Sequence, residues 1–109
     1  MRPMITKYHA EINNTLINNS IKRIINQTYK LLPMREEQSD WQKPLETIME
    51  ELSGMNRLLD YKRDIYFSLL SKMEGLFELT SEDDFQLYRR TIFECLGLLN
   101  LLVVKDERA

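Results

Sequence analysis

FQLYRRTIFECLGLLNLLVV, residues 85–104, is the stretch whose reading decides the fold. It opens as an amphipathic helix, with Phe85, Tyr88, Ile92, Cys95/Leu96 and Leu99 on one face at i, i+3, i+7 spacing. From Ile92 onward the apolar residues spread around the whole cylinder: Ile92, Phe93, Cys95, Leu96, Leu98, Leu99, Leu101, Leu102, Val103 and Val104. A helix that is apolar on every side must be covered on every side, by its own chain or by another copy. The segments upstream read as that cover.

Just before it, Leu79-Thr80-Ser81-Glu82-Asp83-Asp84 has the composition of a helix start. Thr80 or Ser81 is placed to cap, and three acids crowd the first turn, where the helix dipole favours anions. The last helix is therefore predicted over 82–104. Further upstream, Leu45, Ile48, Leu52, Met55, Leu59, Lys62, Tyr66, Leu69, Met73 and Leu76 form a 3-4 heptad in which Lys62 is the one polar member. Met49, Leu58, Ile65, Leu70 and Phe77 broaden that stripe to bundle width. Ser53-Gly54-Met55-Asn56 has turn-like composition, and a glycine inside a helix costs about 1 kcal/mol relative to alanine. A turn has no reason to preserve heptad phase, however. The pattern favours one continuous, bent helix over 40–78 rather than two helices meeting at 53–56. At 1.5 Å per residue it would be nearly ~60 Å long, too long for a compact monomer of this size, and would itself argue for an oligomer. Ser39 and Gln42 have the spacing of a capping box that starts this helix near Asp40 or Trp41, and Pro44 loosens its first turn. Residues 33–40 form the polar connection before it.

The first segment reads as helix from about Met4 to Leu32, with Pro3 in its first turn and Pro33 as its stop. Its apolar residues fall on two faces. Ile5, Tyr8, Ile12 and Leu16 point one way; Ile17, Ile21, Ile24, Ile25 and Leu32 point roughly 160° away. The change falls at Asn18-Asn19-Ser20, residues that prefer caps and turns. Either the helix breaks at 18–20, or it is straight and its first half packs on another subunit. The fold class is all-α: a single domain over 1–109, an antiparallel bundle of three long or four shorter helices with coiled-coil-like packing.

Composition agrees. Three Gly and three Pro in 109 residues are too few for a loop-rich β protein. A single Cys excludes an intramolecular disulfide framework, and the N-terminal residues lack an apolar leader core, so the expected compartment is the cytoplasm. The longest apolar run, 92–104, is 13 residues and carries Glu94 and Asn100, whereas a bilayer span needs about 20. The net charge of −2 hides a split: residues 1–35 hold six Lys/Arg against Glu11 (+5), and 36–109 hold nine against sixteen acids (−7). Neighbouring helices of opposite charge, or a basic surface for nucleic acid, would each produce that split.

The residues that could carry chemistry have plainer structural readings. Glu46, Glu50, Glu51, Asp60 and Asp64 resemble in kind the carboxylate-rich helices with which all-α nucleotide pyrophosphohydrolases hold Mg²⁺. The heptad places Glu46 and Asp60 at b and Glu50 and Asp64 at f, facing solvent; only Glu51, at g, leans toward a seam. His9 is the one histidine, so no histidine-based metal site is expected. Arg2 and His9 have the gap of the Arg-x(4–6)-His motif of HEPN ribonucleases, but at the start of the chain rather than on a late helix, where it is a chance match. Cys95, at a core position, reads as an inert packing thiol. No phosphate-binding glycine loop or nucleophile elbow occurs, and no cofactor or metal is expected.

The apolar surface exceeds what a lone bundle requires. The expected function is therefore a non-enzymatic protein–protein interaction module, an adaptor, regulator or small subunit of a larger assembly, that self-associates as a homodimer or higher oligomer. Its candidate contact residues are Ile5, Tyr8, Ile12, Leu16, Trp41, Leu98 and Leu101. The alternative is a nucleic-acid-associated subunit using Lys22, Arg23 and Lys30 of the basic first third, with Arg89-Arg90 as a second small basic spot. A metal-dependent nucleotide hydrolase is the remote third.

Overall fold

Apolar stripes at helical spacing, separated by short polar connections, close into an all-α bundle. The computed structural model describes residues 4–5, 11–12 and 14–104. Its helices are α1 (Asn14–Glu36), α2 (Gln42–Leu58), α3 (Arg63–Leu76) and α4 (Phe85–Leu102), the last preceded by a single 3₁₀ turn over Glu82–Asp84. Two short strands, β1 (Met4–Ile5) and β2 (Glu11–Ile12), pair antiparallel ahead of α1, with Met4 opposite Ile12 and Ile5 opposite Glu11. Each helix packs on the next in sequence, and α4 packs back on α1. Residues of all four helices meet in one core, with Ile21, Leu45, Leu69 and Leu99 all fully excluded from water.

Three boundaries differ from the sequence reading. The second segment is two helices, and they part at 59–62 rather than at 53–56. Leu59 turns extended (φ −101°, ψ 136°), and Lys62 adopts the left-handed conformation (φ 49°) that starts α3. Left-handed backbone is unfavourable for a residue with a Cβ. Here the Lys62 ammonium donates to the Leu101 carbonyl of α4 at 2.5 Å and lies 5.1 Å from the centre of the Tyr61 ring, so the turn is anchored from both sides. The heptad phase survives because Leu59 and Tyr66 both enter the core, each from its own side of the turn.

Gly54 lies inside α2, and a Cβ added there would meet nothing within 4 Å. Gly54→Ala should therefore stabilise the protein by about 0.5–1 kcal/mol, raising the melting temperature by about 2–8 °C. A destabilised variant would mean that the backbone at 54 is not helical.

The first helix begins at Asn14, not near Met4, and runs unbroken through 18–20. The face of Ile5 and Ile12 therefore never belonged to it: those residues sit in the strand pair, while Ile17, Ile21, Ile24 and Leu31 face the core. Tyr8 lies outside the described residues. At the other end α1 continues past Pro33 to Glu36. It closes when Gln38 turns left-handed (φ 60°), with the Ser39 amide donating to the Met34 carbonyl (2.8 Å) and the Gln38 amide to Arg35 (3.1 Å), the 6→1 and 5→2 bonds of a Schellman closure.

α2 starts at Gln42, and Asp40 rather than Ser39 accepts from a first-turn amide, that of Lys43, at 3.2 Å. Its first backbone bond is Leu45 N–H to the Trp41 carbonyl, so Pro44 lacks its N–H where none is used. The start of α4 matches its sequence signature: the Asp84 carboxylate accepts from the Ser81 amide (3.3 Å) and hydroxyl (3.1 Å).

Candidate functional site

The connections α1–α2 and α3–α4 lie together at one end of the bundle, joined by Arg35. From the last turn of α1 its guanidinium donates to the Leu79 carbonyl through Nε (3.1 Å) and Nη2 (2.7 Å), and to the Ser81 carbonyl at 2.7 Å. It also lies against the rings of Phe85 and Tyr88, 5.3 and 4.7 Å from their centres. Trp41 is buried beside them, stacked on Phe77 and edge-on to Tyr88. An open cleft of about 600 Å³ lies over this cluster, bordered by Glu36, Asp40, Glu82 and Phe85. Its one cation is already committed to backbone carbonyls, and its indole is part of the core. Trp41 thus serves as a packing residue rather than an exposed anchor.

At the opposite end, the Asn18 amide holds the chain that leaves α4. Its Nδ2 donates to the Val104 carbonyl (2.8 Å), and its Oδ1 accepts from the Val104 amide (2.7 Å). The Asn18-Asn19-Ser20 run, where the sequence allowed either a break or a straight helix, contributes this clasp from within a continuous helix. Nearby, Leu16 of α1 and Leu58 of α2 stand 63% and 45% exposed, and with Met55, Ser20, Ile17 and Leu59 they border an apolar hollow of about 130 Å³. Leu101 is exposed on α4, while Leu98 is half-buried against the core. Of the candidate contact residues, Leu16 and Leu101 thus present themselves to solvent, Leu98 partly so, and Ile5 and Ile12 lie on the strand pair.

Among the described residues, the basic side chains of the first third are not all free for a partner. Arg23 pairs with Glu51 of α2, and Arg35 is engaged as above. Lys22 and Lys30 remain exposed. The same pairing engages Glu51, and the other carboxylates are exposed: Glu46 and Glu50 on α2, Asp60 in the turn between α2 and α3, and Asp64 in the first turn of α3. Among the described residues no group of three acidic, His or Cys side chains is arranged to hold a metal ion.

The core holds titratable groups without catalytic character. Burial pushes the Cys95 thiol up to about 12, the nearby Lys72 offsetting only part of the rise, so the nucleophilic thiolate is suppressed. Burial likewise raises the Tyr66 phenol to about 12 and lifts Tyr88 well above its ordinary value. Neither hydroxyl has a hydrogen-bond partner among the described residues. Both stay protonated through the neutral and mildly alkaline range. No described helix is long and apolar enough to cross a membrane. Comparison with protein-family models, with curated proteins and with solved structures finds no match to this chain.

Proposed function

We propose that the protein is a non-enzymatic interaction module of the cytoplasm that self-associates, as a small subunit or adaptor, through the bundle end where α1 begins and α2 finishes. The observation that carries this reading is the pair Leu16 and Leu58, two large apolar side chains held in solvent around an apolar hollow although the core beneath them is already closed. Exposed leucines scattered singly need no explanation; two of them around one apolar hollow support the reading of a contact surface. No charged side chain borders that hollow, so a second copy can cover it without stranding an ion. The strand pair carrying Ile5 and Ile12 directly precedes this end of α1, so an arm of the same chain is within reach of the contact. Each leucine side chain buried there contributes about 1.5–3 kcal/mol before the cost of association.

The test is molar mass in solution by light scattering at low and moderate salt. The native chain should be a dimer or larger at both. The double variant Leu16→Glu, Leu58→Glu should be a monomer with unchanged helical circular dichroism, since neither side chain belongs to the core. A native chain that is monomeric throughout, or a double variant that keeps its oligomeric mass, would overturn the reading.

A further inference from the structure

The seam between α1 and α4 carries a second exposed apolar feature with different chemistry. Tyr29 and Phe93 meet edge to face, their ring centres 6.2 Å apart at 86°, and each leaves about half its surface in water (50% and 43%). The Arg89 guanidinium lies 5.2 Å from the centre of the Phe93 ring. Gln86, Arg89, Arg90, Phe93 and Glu94 border an open hollow of about 480 Å³ beside the rings. Lys22 precedes Tyr29 by seven residues, two turns along the same side of α1. Lys22, Arg89 and Arg90 have no carboxylate partner among the described residues, and Glu94, the one acid on the hollow, faces Lys72 at 3.7 Å. The result is a cationic face with two rings fixed in it by helical backbone.

We infer that this face binds single-stranded nucleic acid, with bases against Tyr29 and Phe93 and phosphates on Arg89, Arg90 and Lys22. Four kinds of partner make different demands. An apolar protein surface would cover the rings but would bury three cations without partners, which is strongly unfavourable. An acidic protein segment would pair with the cations and leave the rings in water. A duplex offers phosphates but keeps its bases stacked inside. A single strand offers accessible base faces and backbone charge at once, and stacking on aromatic side chains accepts any base. The site is independent of the leucine patch at the bundle end, and its failure leaves the self-association reading standing.

The experiment is fluorescence anisotropy of a short labelled oligothymidine with the full chain, between about 50 and 200 mM salt. Binding should weaken with salt at a log–log slope of about −2, as expected for roughly three phosphates of a single strand. Phe93→Leu, which keeps an apolar side chain at that position of α4, should weaken binding by about fivefold or more through the lost stacking. Arg90→Gln should flatten the slope by about 0.7. Any one of four results would overturn the assignment: no binding at the lowest salt, Phe93→Leu binding like the native chain, a duplex bound as tightly as the single strand, or displacement by a polyglutamate peptide at equal charge. The last would give the face to an acidic protein segment instead.

Discussion

Leu99→Asp will leave the chain without a folded state at neutral pH. Leu99 is fully excluded from water, on the side of α4 that packs against α1 and α3. A carboxylate there finds no cation in the core. The penalty for burying an unpaired charge, together with the lost packing, is at least about 5 kcal/mol. A domain of this size has a total stability of only about 5–15 kcal/mol. Loss of the cooperative urea transition and of much of the helical circular dichroism is the expected result. Leu101→Asp is the control: two residues away on the same helix, but 54% exposed, it should retain the transition. If both variants unfold alike, or neither does, the assignment of inner and outer faces on α4 is wrong.

The second large effect belongs to Arg35. Its three charge-assisted bonds to the Leu79 and Ser81 carbonyls tie α1 to the approach of α4, and its guanidinium covers two aromatic rings. Arg35→Met keeps much of the stem but leaves those carbonyls unpaired. The cost should be about 3 kcal/mol, since a hydrogen bond to a charged group contributes roughly 1.5–3 kcal/mol and the ring contacts add to it. The melting temperature should then fall by about 10–20 °C. Arg35→Lys should recover only part of this, because a single ammonium cannot fork between two carbonyls while lying flat on a ring. A fall of less than about 3 °C for Arg35→Met would mean that the carbonyls are satisfied by water and that the clamp contributes little.

These effects rest on features that the sequence disclosed unevenly. The inward heptad was legible: Leu45, Ile48, Leu52, Leu59, Tyr66, Leu69, Met73 and Leu76 are all buried. The acidic start of α4, with Ser81 three residues before Asp84, was equally plain. The break between α2 and α3 was visible only as Lys62, the one polar residue in the apolar phase. Asp60-Tyr61-Lys62 contains no glycine or proline, and the hydrogen bond that anchors the Lys62 side chain goes to α4, far away in the chain. Local propensity carries no trace of such contacts.

The change of face at Asn18-Asn19-Ser20 was likewise a real signal with a different cause. Ile5 and Ile12 precede the helix in the strand pair, and Leu16 lies within α1 on its exposed side, so no kink is needed to explain the change. Of the candidate surfaces, the sequence pointed to Leu16 and Leu101 because excess apolar residues on a helix must be covered somewhere. It could not pair Leu16 with Leu58, or Tyr29 with Phe93, because each pair joins two helices whose rotation about their own axes is set by packing. Arg23 read as a free cation for the same reason: its partner, Glu51, lies 28 residues further on.

The clasp between Asn18 and Val104 brings the start of α1 and the finish of α4 side by side. With each helix also seated on its successor, the four form a closed circuit with no privileged beginning. A circularly permuted chain, rejoined from the finish of α4 to the start of α1 and reopened between Leu59 and Lys62, retains every helix–helix seam. What it gives up is the left-handed turn that Lys62 sustains. In the native order that turn stores strain that a permutant opened there would release, so the order in which the helices are strung is separable from the architecture they build.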